Sequence, residues 1–242
     1  MMRSLGLVAA LASALLVSPA LAATAHRKAP VRAAAVDWSR TVVRTPEGGV
    51  RMGNPDAKVK LIEYGARTCP TCAQFATDGE PKLVAGYVAN GRVSYEYRDY
   101  PVHGALDLGP ILLGDCVPLP RFFPVLQAMM TQQKALVGRA AQIPDAKGKE
   151  LEKATPNVVA AYLADFYGYT DLVVKAGLPR ARAAACLADA SGVDTIVRRA
   201  NIGQSAYKIS GTPSFILDGK VLSGVFAWDT LEPVLKTALA AK

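Results

Sequence analysis

Across 242 residues the chain carries 28 lysines and arginines against 20 aspartates and glutamates, a formal net charge of +8 at pH 7, and 51% of its residues are hydrophobic. That length suffices for one large domain or two small ones. The basic residues are scattered, with a modest cluster only at His26-Arg27-Lys28 and Arg32, which argues against a nucleic-acid footprint and for a solvated surface open to acidic partners.

Met1-Met2-Arg3 is a short positive start, an uncharged and mostly apolar run follows from Leu5 to Val17, and Ala20-Leu21-Ala22 supplies the small-x-small pattern of a cleavage site. Residues 1–22 therefore read as a secretory signal peptide, and the mature chain is expected to start near Ala23. The apolar run is too short to span a bilayer comfortably, and no later stretch approaches the required ~20 residues. No cysteine follows the cleavage site, so lipid attachment there has no support. Ala23 to Ala35 is alanine-rich and basic without usable periodicity, and residues 23–40 are expected to form a mobile leader ahead of a single domain over 41–242.

From Trp38 the texture changes. Thr41 to Arg44 reads as a short strand, Pro46-Glu47-Gly48-Gly49 and Gly53-Asn54-Pro55-Asp56 as turns, and Val59 to Tyr64 as a buried strand. Cys72, Phe75, Ala76, Leu83, Val84, Tyr87 and Val88 recur at roughly helical spacing, with Pro81 expected to kink or restart the helix because it cannot donate its backbone hydrogen bond. Asn90-Gly91 ends the helix, and Val93 to Tyr97 alternates as a second strand. A strand–helix–strand unit of this kind makes its two strands parallel.

The next hundred residues lack strand chemistry. Leu106–Val117, Arg121–Gln133, Pro156–Phe166, Leu178–Ala190 and Val193 towards Tyr207 are alanine- and leucine-rich helical candidates, and Lys147–Lys153 is either a loop or a solvated helix start. A structureless loop of that length inside a compact domain is implausible, so residues 104–207 are expected to form an all-helical insertion. Pro213 to Leu217 returns as strand, Asp218-Gly219 turns into Lys220-Val221-Leu222, and Trp228 to Ala241 closes the chain as an amphipathic helix with Leu231, Val234, Leu235, Ala238 and Leu239 on one face. The predicted architecture is an α/β domain, βαβ and ββα halves over 41–103 and 208–242, split by the insertion.

Four cysteines carry the chemistry. Cys69-Pro70-Thr71-Cys72 is a Cys-x-x-Cys motif at a strand-to-helix turn, in a chain addressed to a compartment where disulfides persist. Thiol exchange needs a thiolate attacker and a second thiol close enough to release a trapped mixed disulfide. At a helix N-terminus, unpaired N–H groups and the helix dipole stabilise Cys69 as S⁻, while Cys72 faces the same side. Pro70 costs the first turn little, since its missing donor was unpaired anyway. Thr71 offers a hydroxyl but no charge. Arg67 has two open readings, a cation that lowers the thiol pKa or a solvated loop charge. Zinc is disfavoured because a tetrahedral site wants four ligands, and Cys116, Cys186, His26 and His103 contain no second close pair; an inert Cys-x-x-Cys bridge is disfavoured by the redox character of so tight a ring. For Cys116 and Cys186 the default in an exported chain with an even cysteine count is a structural bridge. The alternatives are two free buried thiols or a second redox pair.

The segments Gly53-Asn54-Pro55-Asp56-Ala57, Glu63-Tyr64 leading to Cys69-Pro70-Thr71-Cys72, Gly91-Arg92-Val93 to Arg98-Asp99-Tyr100-Pro101, and Gly211-Thr212-Pro213-Ser214-Phe215 with Asp218-Gly219 resemble the DsbA-like branch of the thioredoxin superfamily over most of the mature chain. The resemblance implies that Cys69 is the nucleophile, Cys72 the buried resolving cysteine, Pro213 the cis-proline facing the cysteine pair, and Thr212 the residue whose backbone pairs with extended substrate. It also implies that Glu63 is a buried acid assisting proton transfer around the resolving cysteine, against the alternative of a solvent-facing edge carboxylate. Strong oxidases of the family carry histidine where Thr71 stands, so a less extreme potential is expected here. Threonine before the cis-proline also occurs in disulfide isomerases, which are dimers built on a dedicated N-terminal domain. Only about 30 residues separate Ala23 from Gly53, well short of an ordinary domain, and a monomer is expected.

The expectation for function is a periplasmic thiol–disulfide oxidoreductase that donates disulfides to cysteine-containing exported proteins. Its reoxidation is expected from a quinone-linked membrane partner, and no separate cofactor is required because the cysteines carry the electrons. The rivals are a reductase or isomerase using the same site, a peptide-binding chaperone with a structural disulfide, and a zinc-binding exported module.

Overall fold

Strand chemistry in two apolar runs builds the centre of the sheet. Val59–Gly65 and Val93–Asp99 pair in parallel from Val59 opposite Val93 to Gly65 opposite Asp99. The structure, a computed structural model, describes residues 36–242; the expected signal peptide and leader residues 23–35 lie outside the described residues. In chain order the strands are β1 (Val42–Arg44), β2 (Val50–Met52), β3 (Val59–Gly65), β4 (Val93–Asp99), β5 (Ser214–Leu217) and β6 (Lys220–Val221), arranged β1-β2-β4-β3-β5-β6. Only β3 and β4 are parallel to each other; the other pairings are antiparallel. This is the α/β thioredoxin-like sheet with a β1–β2 hairpin added on the β4 side. β2 escaped the sequence reading because its three residues lie between two segments read as turns, Pro46-Glu47-Gly48-Gly49 and Gly53-Asn54-Pro55-Asp56.

Between β3 and β4 run α1 (Pro70–Asp78), α2 (Glu80–Leu83) and a π-helical turn at Val84–Val88. The break at Gly79 and the restart at Glu80-Pro81 follow from the proline, which is accepted in the first turn of the new helix. The residues between β4 and β5 form α3 (Ala105–Cys116), α4 (Phe122–Thr131), α5 (Gln133–Val137), α6 (Asp145–Leu151), α7 (Pro156–Tyr167), α8 (Tyr169–Lys175), α9 (Arg180–Ala188) and α10 (Ala190–Tyr207); α11 (Trp228–Ala240) ends the chain.

Several boundaries differ from the sequence reading for local reasons. The mixed-charge stretch is helical as α6, with none of its residues buried. Gly168 adopts φ +88° and ends α7, so the chain restarts at once as the unanticipated α8. The Asp189 carboxylate accepts the Ser191 N–H at 3.0 Å, and this cap divides α9 from α10. Trp38–Arg40, assigned to the mobile leader, is instead a 3₁₀ turn: Asp37 caps it and the Trp38 N–H donates to Ala89 O at 3.0 Å.

The sheet separates two apolar clusters. Leu61 and Glu63 share a face with Tyr95 and Tyr97, and α4 covers that face through Phe123 and Phe122, whose rings lie 5.7 and 6.4 Å from those tyrosines. This face belongs to one contiguous core that also includes Ile111, Leu126 and Met129 of the insertion. On the opposite face Tyr64, Ile209 and Ile216 form a small second cluster. Among the described residues no helix is long and apolar enough to cross a membrane.

Candidate active site

β3 delivers its C-terminal end to a tight turn, Ala66-Arg67-Thr68, closed by the Cys69 N–H donating to Ala66 O at 3.1 Å. Cys69 is the N-cap of α1 in extended conformation, with Pro70 in the first turn. Both active-site thiols are free and buried. The N-cap position aims the unpaired first-turn N–H groups at the sulfur. The Cys69 thiol is held down at about 5, first by the hydrogen bond from the Cys72 thiol, then by Thr212 and the backbone N–H groups of Cys72 and Thr71, with burial opposing them. Cys72, 0% exposed, is pushed far up by burial, by its hydrogen bond to Cys69 and by the charge of Glu63. The pair is thus split into an attacker that is readily a thiolate and a resolver that holds its proton.

The downstream motif closes over this pair. The Thr212–Pro213 peptide is cis, and the Cys69 thiol donates to Thr212 O at 3.3 Å. The Thr212 hydroxyl is buried and otherwise unpartnered, so it is free to donate once Cys69 becomes a thiolate. Phe215 anchors β5 to α1 through Phe75, ring centroids 4.8 Å apart. Pro70 and Thr71 are exposed at the rim of the site.

Glu63 lies inside, 2% exposed, and not at a solvent edge. Its Oε2 accepts the Tyr95 hydroxyl at 2.6 Å. Burial raises its carboxyl to about 8 against the tyrosine hydrogen bond, with Glu80 and Cys69 adding to the rise.

Arg67 fits neither reading offered for it. Its guanidinium is 0% exposed and pairs in bidentate fashion with Asp99, Nε to Oδ1 at 2.7 Å and a second nitrogen to Oδ2 at 2.9 Å. It also sits over the Phe122 ring, 5.3 Å from the centroid. The side chain turns into the core, where Asp99 neutralises its charge.

The roles of Gln133, Thr68, His103 and Asp107 around the active-site turn were not legible beforehand. Gln133, at the start of α5, donates from Nε2 to both Arg67 O and Cys69 O at 3.0 Å, fixing the active-site turn. The Thr68 hydroxyl donates to Asp107 Oδ1 at 2.7 Å, and His103 Nδ1 lies 2.7 Å from the same hydroxyl. Asp107 Oδ2 accepts the His103 N–H at 2.8 Å. A glutamine or threonine in a helical or turn stretch carries no sequence signal of such a role. Away from the site, Cys116 and Cys186 are disulfide-bonded between the end of α3 and α9, Cα atoms 6.4 Å apart.

A family model described as Thioredoxin matches residues 45–237. The chain belongs to the thioredoxin family. Among its relatives, a Rickettsia bellii protein whose name provisionally assigns it to the protein-disulfide oxidoreductases is 23% identical over 203 residues, covering 84% of this chain and 68% of that one. The chain spans about two thirds of the length of the curated relatives it matches over most of its length. The solved structure of a protein-disulfide isomerase from Novosphingobium aromaticivorans superposes with a TM-score of 0.72 at 29% identity, over 78% of this chain and 96% of that one. Wolbachia pipientis alpha-DsbA1 shares the fold, with a TM-score of 0.64 at 18% identity, over 82% and 94% of the two chains. Within its family the chain's class is that of the protein thiol–disulfide oxidoreductases.

Proposed function

We propose that the protein is an exported enzyme that donates disulfides to cysteine-containing proteins of the periplasm through Cys69 and Cys72. One observation carries this reading: Cys69 is held at about 5 beside a resolving thiol pushed far up. A pair split in this way favours the reduced protein, and so makes the oxidised form a ready acceptor of electrons. A substrate thiolate attacks Cys69 Sγ in the oxidised pair, Cys72 leaves, and a second substrate thiolate attacks the mixed disulfide and releases Cys69. The extended substrate is read by the backbone at Thr212, beside Pro213. A quinone-linked membrane partner then reoxidises the dithiol.

A second reading, isomerase or reductase, draws on the structural neighbour named as an isomerase at 29% identity and on Thr212 before Pro213. The reduction potential of the Cys69–Cys72 couple separates the readings, measured in glutathione buffers with Cys116 and Cys186 both replaced by serine. A value between ~−120 and ~−180 mV is expected for a donor weakened by Thr71. A value near ~−270 mV sinks the donor reading and leaves a reductase.

A further inference from the structure

Cys72 is fully buried, so when it leaves as a thiolate its proton must come from inside the protein. Glu63 is the acid whose charge acts on it, yet Glu63 is itself buried and its Oε2 accepts the Tyr95 hydroxyl. A buried acid delivers one proton and must be resupplied before the next turnover. Tyr95 leads away from the substrate side. It pairs with Met52 across the β2–β4 ladder and packs its ring against Phe123. Met52 and Phe123 are in turn two walls of a cavity of about 660 Å³, which Glu80, Val84 and Gln127 complete. None of Cys69, Thr212 and Pro213 lines this cavity.

Two features of the cavity suit proton traffic. Glu80 is 7% exposed, and among the described residues its carboxyl has neither a hydrogen bond nor an ion pair. A buried carboxyl without a donor is held as the neutral acid. Gln127 donates from Nε2 to Ala76 O at 2.8 Å, which leaves its buried Oε1 without a partner in the same wall. Water entering the cavity therefore meets a proton-bearing acid and an idle acceptor together.

We propose that Glu80 is the outer acid of a relay, Cys72–Glu63–Tyr95–Glu80, which exchanges the resolving cysteine's proton with solvent through this cavity, away from the face where substrate docks. The relay rests on the thiol-exchange reading above and adds a positioning residue and a proton entrance to it. Burial raises Glu80 to about 8, as it does Glu63, so both acids exchange protons near neutral pH. The groups that face them are Cys69 and Cys72 from α1, Tyr95 and Tyr97 from β4, and Asp37 across the cavity.

In the step that accepts electrons, a substrate thiolate attacks Cys69 Sγ. The Cys69–Cys72 bond breaks, a substrate–Cys69 bond forms, and the electron pair leaves on Cys72. In one concerted shift the Cys72 thiolate takes the Glu63 proton, Tyr95 passes its hydroxyl proton to Glu63 and receives another from Glu80, so that no tyrosinate stands free where burial and the two carboxyls hold that hydroxyl well above its ordinary value. Glu80 then recovers a proton from water in the cavity. The second substrate thiolate then releases Cys69 as a thiolate, so two electrons have entered the protein and the substrate leaves as a disulfide. On reoxidation the Cys72 proton runs out along the same route.

The test is the single-turnover reduction of the oxidised protein by dithiothreitol from pH 5 to 10, with the ultraviolet titration of the Cys69 thiolate in parallel. Glu80→Gln keeps the shape and removes the proton; it should slow reduction at pH 7 about tenfold and leave the Cys69 titration unchanged. The ionisation near 8 should move to lower pH, because the Glu80 charge no longer holds up the Glu63 proton. Tyr95→Phe keeps the ring and cuts the hydroxyl link, and should slow reduction without adding to Glu80→Gln in the double variant; it carries the test alone if Glu80→Gln does not fold. A wild-type pH–rate profile in Glu80→Gln or in Tyr95→Phe overturns the relay, and a profile altered only in Glu63→Gln ends the path at Glu63. Cys69→Ser separates the two readings. Exchange that survives it defeats thiol chemistry itself, whereas its loss beside an unaltered Glu80→Gln defeats the relay alone.

Discussion

Glu63 and Glu80 have their ordinary value of 4.5 in the unfolded chain and rise to about 8 in the fold, chiefly through burial. A group whose folded value is raised contributes stability that is fully present below the unfolded value and is lost as pH rises through the folded one. Between pH 4.5 and 8 the fold must therefore keep two carboxyls neutral that the unfolded chain would ionise. Glu63→Gln should gain stability relative to wild type on going from pH 4.5 to 8.5, by roughly 1–3 kcal/mol after relaxation of the site. Denaturant titrations of the oxidised form, in which Cys69 and Cys72 do not titrate, would read this. Parallel stability curves for the two proteins would mean that Glu63 is solvated. Arg67 belongs to the same scale: a cation two residues from the nucleophile acts on the core and not on the thiol, because Asp99 holds it in bidentate contact.

At the scale of elements, the insertion is tied to itself by the close approach of α3 to α7. A Cβ built on Gly109 would lie 2.6 Å from Ala160 O and 2.9 Å from Ala164 Cβ. The first of these atoms is helix backbone and cannot swing aside. Gly109→Ala should therefore destabilise the protein by about 1–3 kcal/mol through overpacking, although alanine is the better helix former by about 1 kcal/mol. A chemical denaturation curve decides the sign. A gain in stability would mean that α3 and α7 separate freely. The same logic of contact explains α8, which Tyr169 and Val173 anchor in the core with no exposure while its opposite face stays polar.

For the whole molecule, one contiguous core joins the sheet to the insertion, and a single covalent link reinforces it. The Cys116–Cys186 bridge spans a sequence separation of 70; in the chain-entropy model closing such a loop contributes about 4 kcal/mol. The double replacement Cys116→Ser with Cys186→Ser should lower the denaturant midpoint accordingly. It should leave the Cys69 thiolate titration where it was, because no group near Cys69 draws on that bridge. A displaced titration would instead tie the bridge to the redox site.

The family resemblance implied the pairing of Cys69 and Cys72 with Gly211-Thr212-Pro213, while local chemistry in the sequence determined the α/β class, the helical insertion and the strand–turn–helix setting of that cysteine pair. Each of these depends on neighbours a few residues apart: apolar periodicity, proline at a first turn, thiols one helical turn from each other. What the tertiary structure decided depends on groups far apart in the chain. Arg67 meets Asp99 32 positions on, Gln133 reaches back 64 positions to Cys69, and Cys116 finds Cys186 across 70. Glu80 carries no signal of its own in the sequence, and only the packing of β2 and α4 around it makes it a buried acid. Burial is a property of the assembled layers, and burial is what sets the protonation of Glu63, Glu80 and Cys72.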